Sequence, residues 1–198
     1  RCQISLSNGA GFSAGSNWIT NFAKGEDLLL GDFNGDGKTD ICSFNAVSGT
    51  WKMAISDGSI FTERGAWLSN FGKYQVSLSG DFNGDGKTDI CTLYISGGNL
   101  YCMAAFSDGV SFIRQSPFVL QSNIVNPSKY TFFINDYNGD GLSDFLLLYS
   151  NALQKIVSYG NIWSYAYLSN TPFYAPGKQI SGDYDSDGRV DLVLILEP

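Results

Sequence analysis

The sequence predicts an all-β fold, a β-propeller of four blades each made of four antiparallel strands, and three observations carry that expectation. Short aromatic and β-branched runs alternate with Gly, Asn, Asp and Ser, and no segment keeps a helical apolar period for three turns. A nine-residue acidic motif occurs four times, at intervals near one quarter of the chain. A second, Gly-containing turn motif lies upstream of each of its four copies, so every unit reads as four strands joined by tight turns.

Taken in order, the acidic motifs are "DFNGDGKTD" from Asp32, "DFNGDGKTD" from Asp81, "DYNGDGLSD" from Asp136 and "DYDSDGRVD" from Asp183. Successive starts are 49, 55 and 47 residues apart. The loops at 32–40, 81–89, 136–144 and 183–191 each join the first two strands of a unit. A later hairpin is marked by "SLSNGAGF", "AISDGSIF", "AFSDGVSF" and "VSYGNIW", with turns at Asn8-Gly9, Asp57-Gly58, Asp108-Gly109 and Tyr159-Gly160. Asn-Gly and Asp-Gly favour the positive φ angles of a type I′ turn. Further turns are expected at Ser48-Gly49, Ser96-Gly97-Gly98 and near Asn151. The chain opens with two strands (Arg1 to about Ile19) and ends with two that flank the last acidic loop (about Gln179 to Pro198). The first pair can complete the last blade, closing residues 1–198 into a single domain.

Composition narrows the function. With 43% hydrophobic and 15% aromatic residues, the 198-residue chain has enough apolar side chains for a packed core. The longest apolar stretches, Phe145 to Tyr149 and Leu192 to Leu196, are far shorter than the roughly 20 residues of a membrane helix, so no membrane insertion is expected. A net charge of −7 argues against nucleic acid or an anionic membrane as partner. Arg1 opens the chain without a signal-peptide pattern, so any leader has been removed or the chain starts inside a longer protein. There is no His for general-base work, no GxSxG elbow and no phosphate-binding Gly loop, and the paired carboxylates all lie in the acidic loops. The chain is not expected to be an enzyme.

The acidic loops carry the chemistry. In DxNxDGxxD, oxygen side chains fall at positions 1, 3, 5 and 9, Gly at position 6 permits a sharp bend, and the position 7 carbonyl can add an oxygen, as in an EF-hand loop. Hard oxygen donors on a flexible loop suit Ca²⁺; without His, zinc and copper are poor candidates. The expected ligands are Asp32, Asn34, Asp36, Lys38 through its carbonyl and Asp40 in the first loop. They are Asp81, Asn83, Asp85, Lys87 and Asp89 in the second, and Asp136, Asn138, Asp140, Leu142 and Asp144 in the third. Asp183, Asp185, Asp187, Arg189 and Asp191 follow in the fourth, where a carboxylate replaces Asn. An isolated Asp-Gly loop can be a plain turn; four copies with every oxygen position filled favour metal. These loops hold 13 of the 19 acidic residues, and four Ca²⁺ ions would bring the formal charge from −7 to about +1.

These motifs resemble the FG-GAP/VCBS repeats, the calcium-binding blades of integrin α-chain propellers and of many secreted proteins. The resemblance covers the whole chain, although the FG and GAP elements are degenerate. It implies a propeller with Ca²⁺ in the first hairpin of each blade, in an extracellular or cell-surface protein engaged in adhesion, carbohydrate binding or scaffolding. Integrins have seven blades, so no integrin ligand site carries over to four.

Outside the loops, symmetric pairing about Ser96-Gly97-Gly98 sets Cys91 opposite Cys102, a geometry that suits a cross-strand disulfide. Cys42 would face Trp51, and Cys42 and Cys2 read as free thiols. Trp18, Trp67, Phe118 and Tyr167 recur at equivalent places, where packing between blades is favoured over stacking on sugars. The irregular stretch from Gln121 to Tyr130 is a candidate recognition loop or a tolerated insertion. Two functions remain open: a calcium-binding adhesion module for a glycan or protein ligand, or a building block whose partners are other subunits of an extracellular assembly, fibre or toxin.

Overall fold

The computed structural model describes residues 1–122, 130–149, 152–158, 163–167 and 177–196. Among them there is no helix, and the strand pairs whose register is described are antiparallel. Their contacts gather the chain into two compact units: Arg1–Ser79 with Gly86–Thr92 and Ala105–Gln115, and Gly80–Asp85 with Leu93–Ala104 and Ser116–Pro198.

Strands β1 (Cys2–Ile4) and β2 (Ser16–Ile19) form a two-stranded sheet. Next come β3 (Asp27–Gly31), β4 (Asp40–Asn45), β5 (Thr50–Ser56) and β6 (Phe61–Leu68), paired in chain order. The second repeat supplies β7 (Val76–Gly80), β8 (Asp89–Ser96), β9 (Asn99–Ser107), β10 (Phe112–Arg114) and β11 (Phe118–Gln121). Both β10 and β11 pair with β9, because the outer strand is interrupted before Pro117, which has no amide to give to a ladder. The third repeat again runs in order through β12 (Tyr130–Asn135), β13 (Asp144–Tyr149), β14 (Ala152–Ser158) and β15 (Trp163–Tyr167). The last strands, β16 (Gly177–Gly182) and β17 (Asp191–Leu196), form a second two-stranded sheet. Among the described residues the first pair and the last pair are each a two-stranded sheet.

The central strand β4 is buried on both faces. The central strands β4 and β5 carry Ile41, Cys42, Phe44, Trp51, Met53 and Ala54, all buried. Trp51 stacks on Phe44 at 4.2 Å and donates its indole N–H to the Phe71 carbonyl at 3.1 Å. Beside this sheet, Trp18 packs on Phe61 at 5.2 Å, with Ile41 and Ala54 beneath and Cys2, Ile4, Ile19 and Phe22 around them. In the other unit Phe82 stacks on Phe145 at 5.5 Å, and Leu147 and Ile156 are buried.

The Asp57-Gly58 and Asp108-Gly109 hairpins form where expected, with a different turn geometry. Ser56 pairs with Phe61, the Asp57 amide donates to the Ile60 carbonyl, and only Gly58 has a positive φ (94°), which is not the double-positive type I′ pattern. Asp57 makes the turn with its side chain: Oδ1 accepts from the amides of Ser59 and Ile60. The Ile60 amide and Ser59 hold its carboxyl below the usual range. Asp108 does the same with Val110 and Ser111. The expected turns at Tyr159-Gly160 and near Asn151, and most of the Gln121 to Tyr130 stretch, lie outside the described residues.

The cysteine pairing needs correction. Cys91 and Cys102 are both buried, with no disulfide between them. The connection between β8 and β9 is a two-residue turn at Gly97-Gly98, and counting outward from it places Leu93, not Cys91, opposite Cys102. The same two-residue slip applies one repeat earlier, where Cys42 pairs with Met53 and Trp51 with Phe44. Cys2 and Cys42 are free as expected, and burial pushes the Cys42 thiol far up.

Candidate functional site

Each acidic loop divides its carboxylates between two tasks. Position 1 folds the loop: Asp32 Oδ1 accepts from the amides of Gly35 (2.7 Å) and Asp36 (3.0 Å), and Oδ2 from Gly37 (2.7 Å). Position 3 bends it again, with the Asp36 amide donating to Asn34 Oδ1 at 3.0 Å. Position 5 accepts from the amide of position 7, Lys38 to Asp36 at 2.9 Å. The third loop repeats every contact through Asp136, Asn138 and Asp140. In the fourth, Asp183 Oδ1 and Oδ2 accept from Asp187 and Gly188, and Asp185 Oδ1 accepts from Asp187. In the second, Asp81 accepts from Gly84 and Asn83 from Asp85. These Asx turns curl the side chains at positions 1, 3 and 5 onto one face.

Position 9 stands apart. Asp40, Asp89 and Asp144 are all 0% exposed. Asp40 Oδ2 accepts the Phe33 amide (3.1 Å) and Oδ1 the Ser56 amide (2.8 Å), so this carboxylate ties its loop to the far end of β5. Asp144 does the same for Tyr137 and Ser158, Asp89 accepts from Ser107, and Asp191 from Tyr184. Burial pushes the Asp40 carboxyl up, the Ser56 and Phe33 amides pull it down, and the charges of Asp36 and Asp32 push it up again, leaving it above the usual range.

The donor set fits a hard cation. Positions 1, 3 and 5 offer only oxygen, and in the fourth loop the carboxylate oxygens of Asp183, Asp185 and Asp187 lie within 4.8 Å of one another. Position 5 already attracts positive charge: Lys38 Nζ sits 3.0 Å from Asp36 Oδ2, and Arg189 lies 3.1 Å from Asp187 Oδ2. Lys38, through its side chain and its amide, holds the Asp36 carboxyl below its usual range.

Position 7 also has a part that motif spacing does not disclose. Its side chain packs on the preceding loop, where a Cβ at the position 4 glycine would lie 3.1 Å from Lys87 (Gly35), 2.8 Å from Leu142 (Gly84) or 3.4 Å from Arg189 (Gly139). An aliphatic stem suffices there, which explains how Lys, Leu and Arg alternate. Backbone links follow the same step. The amide of position 8 donates to the position 1 carbonyl of the preceding loop: Thr88 to Asp32 (2.7 Å), Ser143 to Asp81 (2.6 Å) and Val190 to Asp136 (3.1 Å). Ser107 and Ser158, the last residues of β9 and β14, donate to the carbonyls of Phe33 and Phe82.

These links build a cavity of about 360 Å³ beside the first loop, lined by Asn34, Ile55, Arg64, Trp67, Gly109 and Val110. Trp67 is half-buried, held by an edge contact to Phe112 at 5.4 Å, and Arg64 is exposed beside it. Of the four recurring aromatics, Trp18 is buried packing, Trp67 faces a cavity and Phe118 is half-buried. The Tyr167 side chain lies outside the described residues. The six lining residues are scattered over 76 positions of sequence, so spacing alone does not reveal them.

Part of this repeated pattern is matched by a family model. Residues 32–92 match the FG-GAP-like repeat family. The FG-GAP-like stretch holds the first two acidic loops and the strands between them. Among solved structures, the chain is similar to a lectin from Agrocybe aegerita that recognises non-reducing terminal N-acetylglucosamine: TM-score 0.73, 19% identity, 96% of this chain and 53% of the lectin. It is also similar to the Tc holotoxin pore of Photorhabdus luminescens (TM-score 0.57, 13% identity, 96% and 10% covered). A third likeness is to a Bacillus licheniformis rhamnogalacturonan lyase (TM-score 0.52, 15% identity, 97% and 47% covered). The chain therefore spans about half the length of the lectin, and at these identities what is shared is a propeller-like all-β fold. No curated protein sequence matches it.

Proposed function

We propose that this chain is a calcium-binding, propeller-like module of an extracellular or cell-surface protein, and that it captures a glycan in the cavity beside its first acidic loop. The cavity carries this reading: an amphipathic Trp67 face, the apolar walls of Ile55 and Val110, and Asn34 and Arg64 as polar contacts match the way a protein holds a sugar ring. The volume suits one or two sugar residues. That the same fold serves an N-acetylglucosamine-binding lectin supports the assignment. Ca²⁺ in the four loops, held by positions 1, 3, 5, 7 and 9, would neutralise the charge they gather. A closing blade built from the first and last strand pairs fits the repeat phase. Binding rather than catalysis is proposed because the chain has no His and its paired carboxylates are spent on the loops.

The test is a glycan array rich in N-acetylglucosamine-terminated probes, read in millimolar Ca²⁺ with wild type and Trp67→Ala. Wild type is expected to bind, and Trp67→Ala to lose about tenfold or more through the lost ring face. A second reading, a subunit of a larger assembly, is favoured by the likeness to a holotoxin. An array without hits, together with concentration-dependent self-association in ultracentrifugation, would select it instead.

A further inference from the structure

The first acidic loop and the cavity share a wall. Asn34, position 3 of the loop, lines the cavity, and its Oδ1 is the acceptor that bends the loop at the Asp36 amide. The opposite wall, Gly109-Val110, is fastened to the same loop. The Gly109 amide donates to Ser107 Oγ (3.1 Å), Ser107 Oγ donates to the Phe33 carbonyl (2.6 Å), and a Cβ at Gly109 would lie 3.5 Å from the Asn34 carbonyl. Lys87 lies close to both Gly35 and Gly109. Two of the cavity's walls therefore follow the backbone of residues 33–35, and its polar lining includes a side chain that the cation would also engage.

From this juxtaposition we propose that cation occupancy of the first loop governs ligand capture in the cavity, so that glycan binding depends on calcium although no metal touches the sugar. The inference rests on the metal and glycan readings above. A cation drawing the oxygens of Asp32, Asn34 and Asp36 would add to the Asp36 amide in fixing which way the Asn34 amide faces. Its nitrogen, a donor only, is then left to the cavity, and the Ser107 link holds Val110 at a set distance. With the loop relaxed, Asn34 and the 107–110 turn lose that common reference, and the ligand must order them when it binds.

The experiment adds Ca²⁺ alone and follows acrylamide quenching of Trp67, isolated as the difference between wild type and Trp67→Phe, with calcium binding measured by calorimetry. Reduced quenching on calcium addition, abolished in Asp36→Asn, supports the coupling. No calcium binding, quenching indifferent to bound calcium, or the same response in Asp36→Asn overturns it. If Asp36→Asn does not fold, hydrogen exchange of wild type with Ca²⁺ or EGTA decides: protection gained at 105–112 together with 32–40 supports the coupling, and protection confined to 32–40 overturns it. Triacetylchitotriose then separates the readings. Affinity weakened about tenfold in EGTA supports both. Equal affinity in Ca²⁺ and EGTA keeps the glycan site and removes the coupling. A calcium-dependent Trp67 response without chitotriose binding keeps the coupling and removes that sugar as ligand.

Discussion

Ser186 shows how much one position can cost. It occupies position 4 of the fourth acidic loop at a φ of 63°, where Gly35, Gly84 and Gly139 sit at 77–78°. A side chain in the left-handed region meets its own carbonyl, and Gly avoids this. Ser186→Gly is expected to stabilise the protein by about 1 kcal/mol, seen as a higher urea midpoint at unchanged slope. A neutral or destabilising result would mean that the hydroxyl has a use the backbone does not reveal. Tyr184 beside it is 57% exposed, whereas its counterparts Phe33 and Phe82 are 0% exposed. Motif position alone does not distinguish these environments: the sequence carries Tyr or Phe at position 2 in every loop, and burial depends on what packs over it.

At the scale of elements, the contact between consecutive loops is the feature most exposed to mutation. Gly31 and Gly80 precede position 1, and a Cβ there would come within 2.5 Å of the Thr88 side chain and within 2.7 Å of Ser143. The neighbour cannot withdraw freely, because its own amide is bonded to the Asp32 or Asp81 carbonyl. Gly31→Ala is therefore expected to destabilise by about 1 to 3 kcal/mol, and Thr88→Gly to be less harmful in the Gly31→Ala background than alone. Additive losses in urea denaturation would show that the two do not meet. The sequence disclosed the repeats, their strands and the turn positions, since spacing and Gly placement state them locally. It did not disclose the register of the Gly97-Gly98 hairpin, whose turn is centred one residue later than a Cys91–Cys102 pair requires, which moves the residue opposite Cys102 from Cys91 to Leu93. Nor did it separate the buried position 9 carboxylate from the exposed ones, because both read simply as Asp.

For the molecule as a whole, charge is the governing quantity. Thirteen carboxylates in four loops bring like charges close together, and Lys38 and Arg189 are among the cations that relieve them in part. At about 1 mM Ca²⁺ and dissociation constants near 10⁻⁴ to 10⁻³ M, each filled loop would add about 0.4 to 1.4 kcal/mol. EGTA is expected to lower the melting temperature by about 10 °C. A melting curve unmoved by EGTA, against a calcium-supplemented control, would remove the structural role of the metal. The cavity was the least legible feature, since it arises only when residues from two repeats are brought to one place. The amide-to-carbonyl link between loops has a further consequence. It is directional, with each repeat carrying a donor at position 8 and an acceptor at position 1, like a plug and a socket on one brick. A duplicated stretch of coding sequence would bring both halves of its own joint, so proteins of this kind can lengthen or shorten by whole repeats without inventing a new interface.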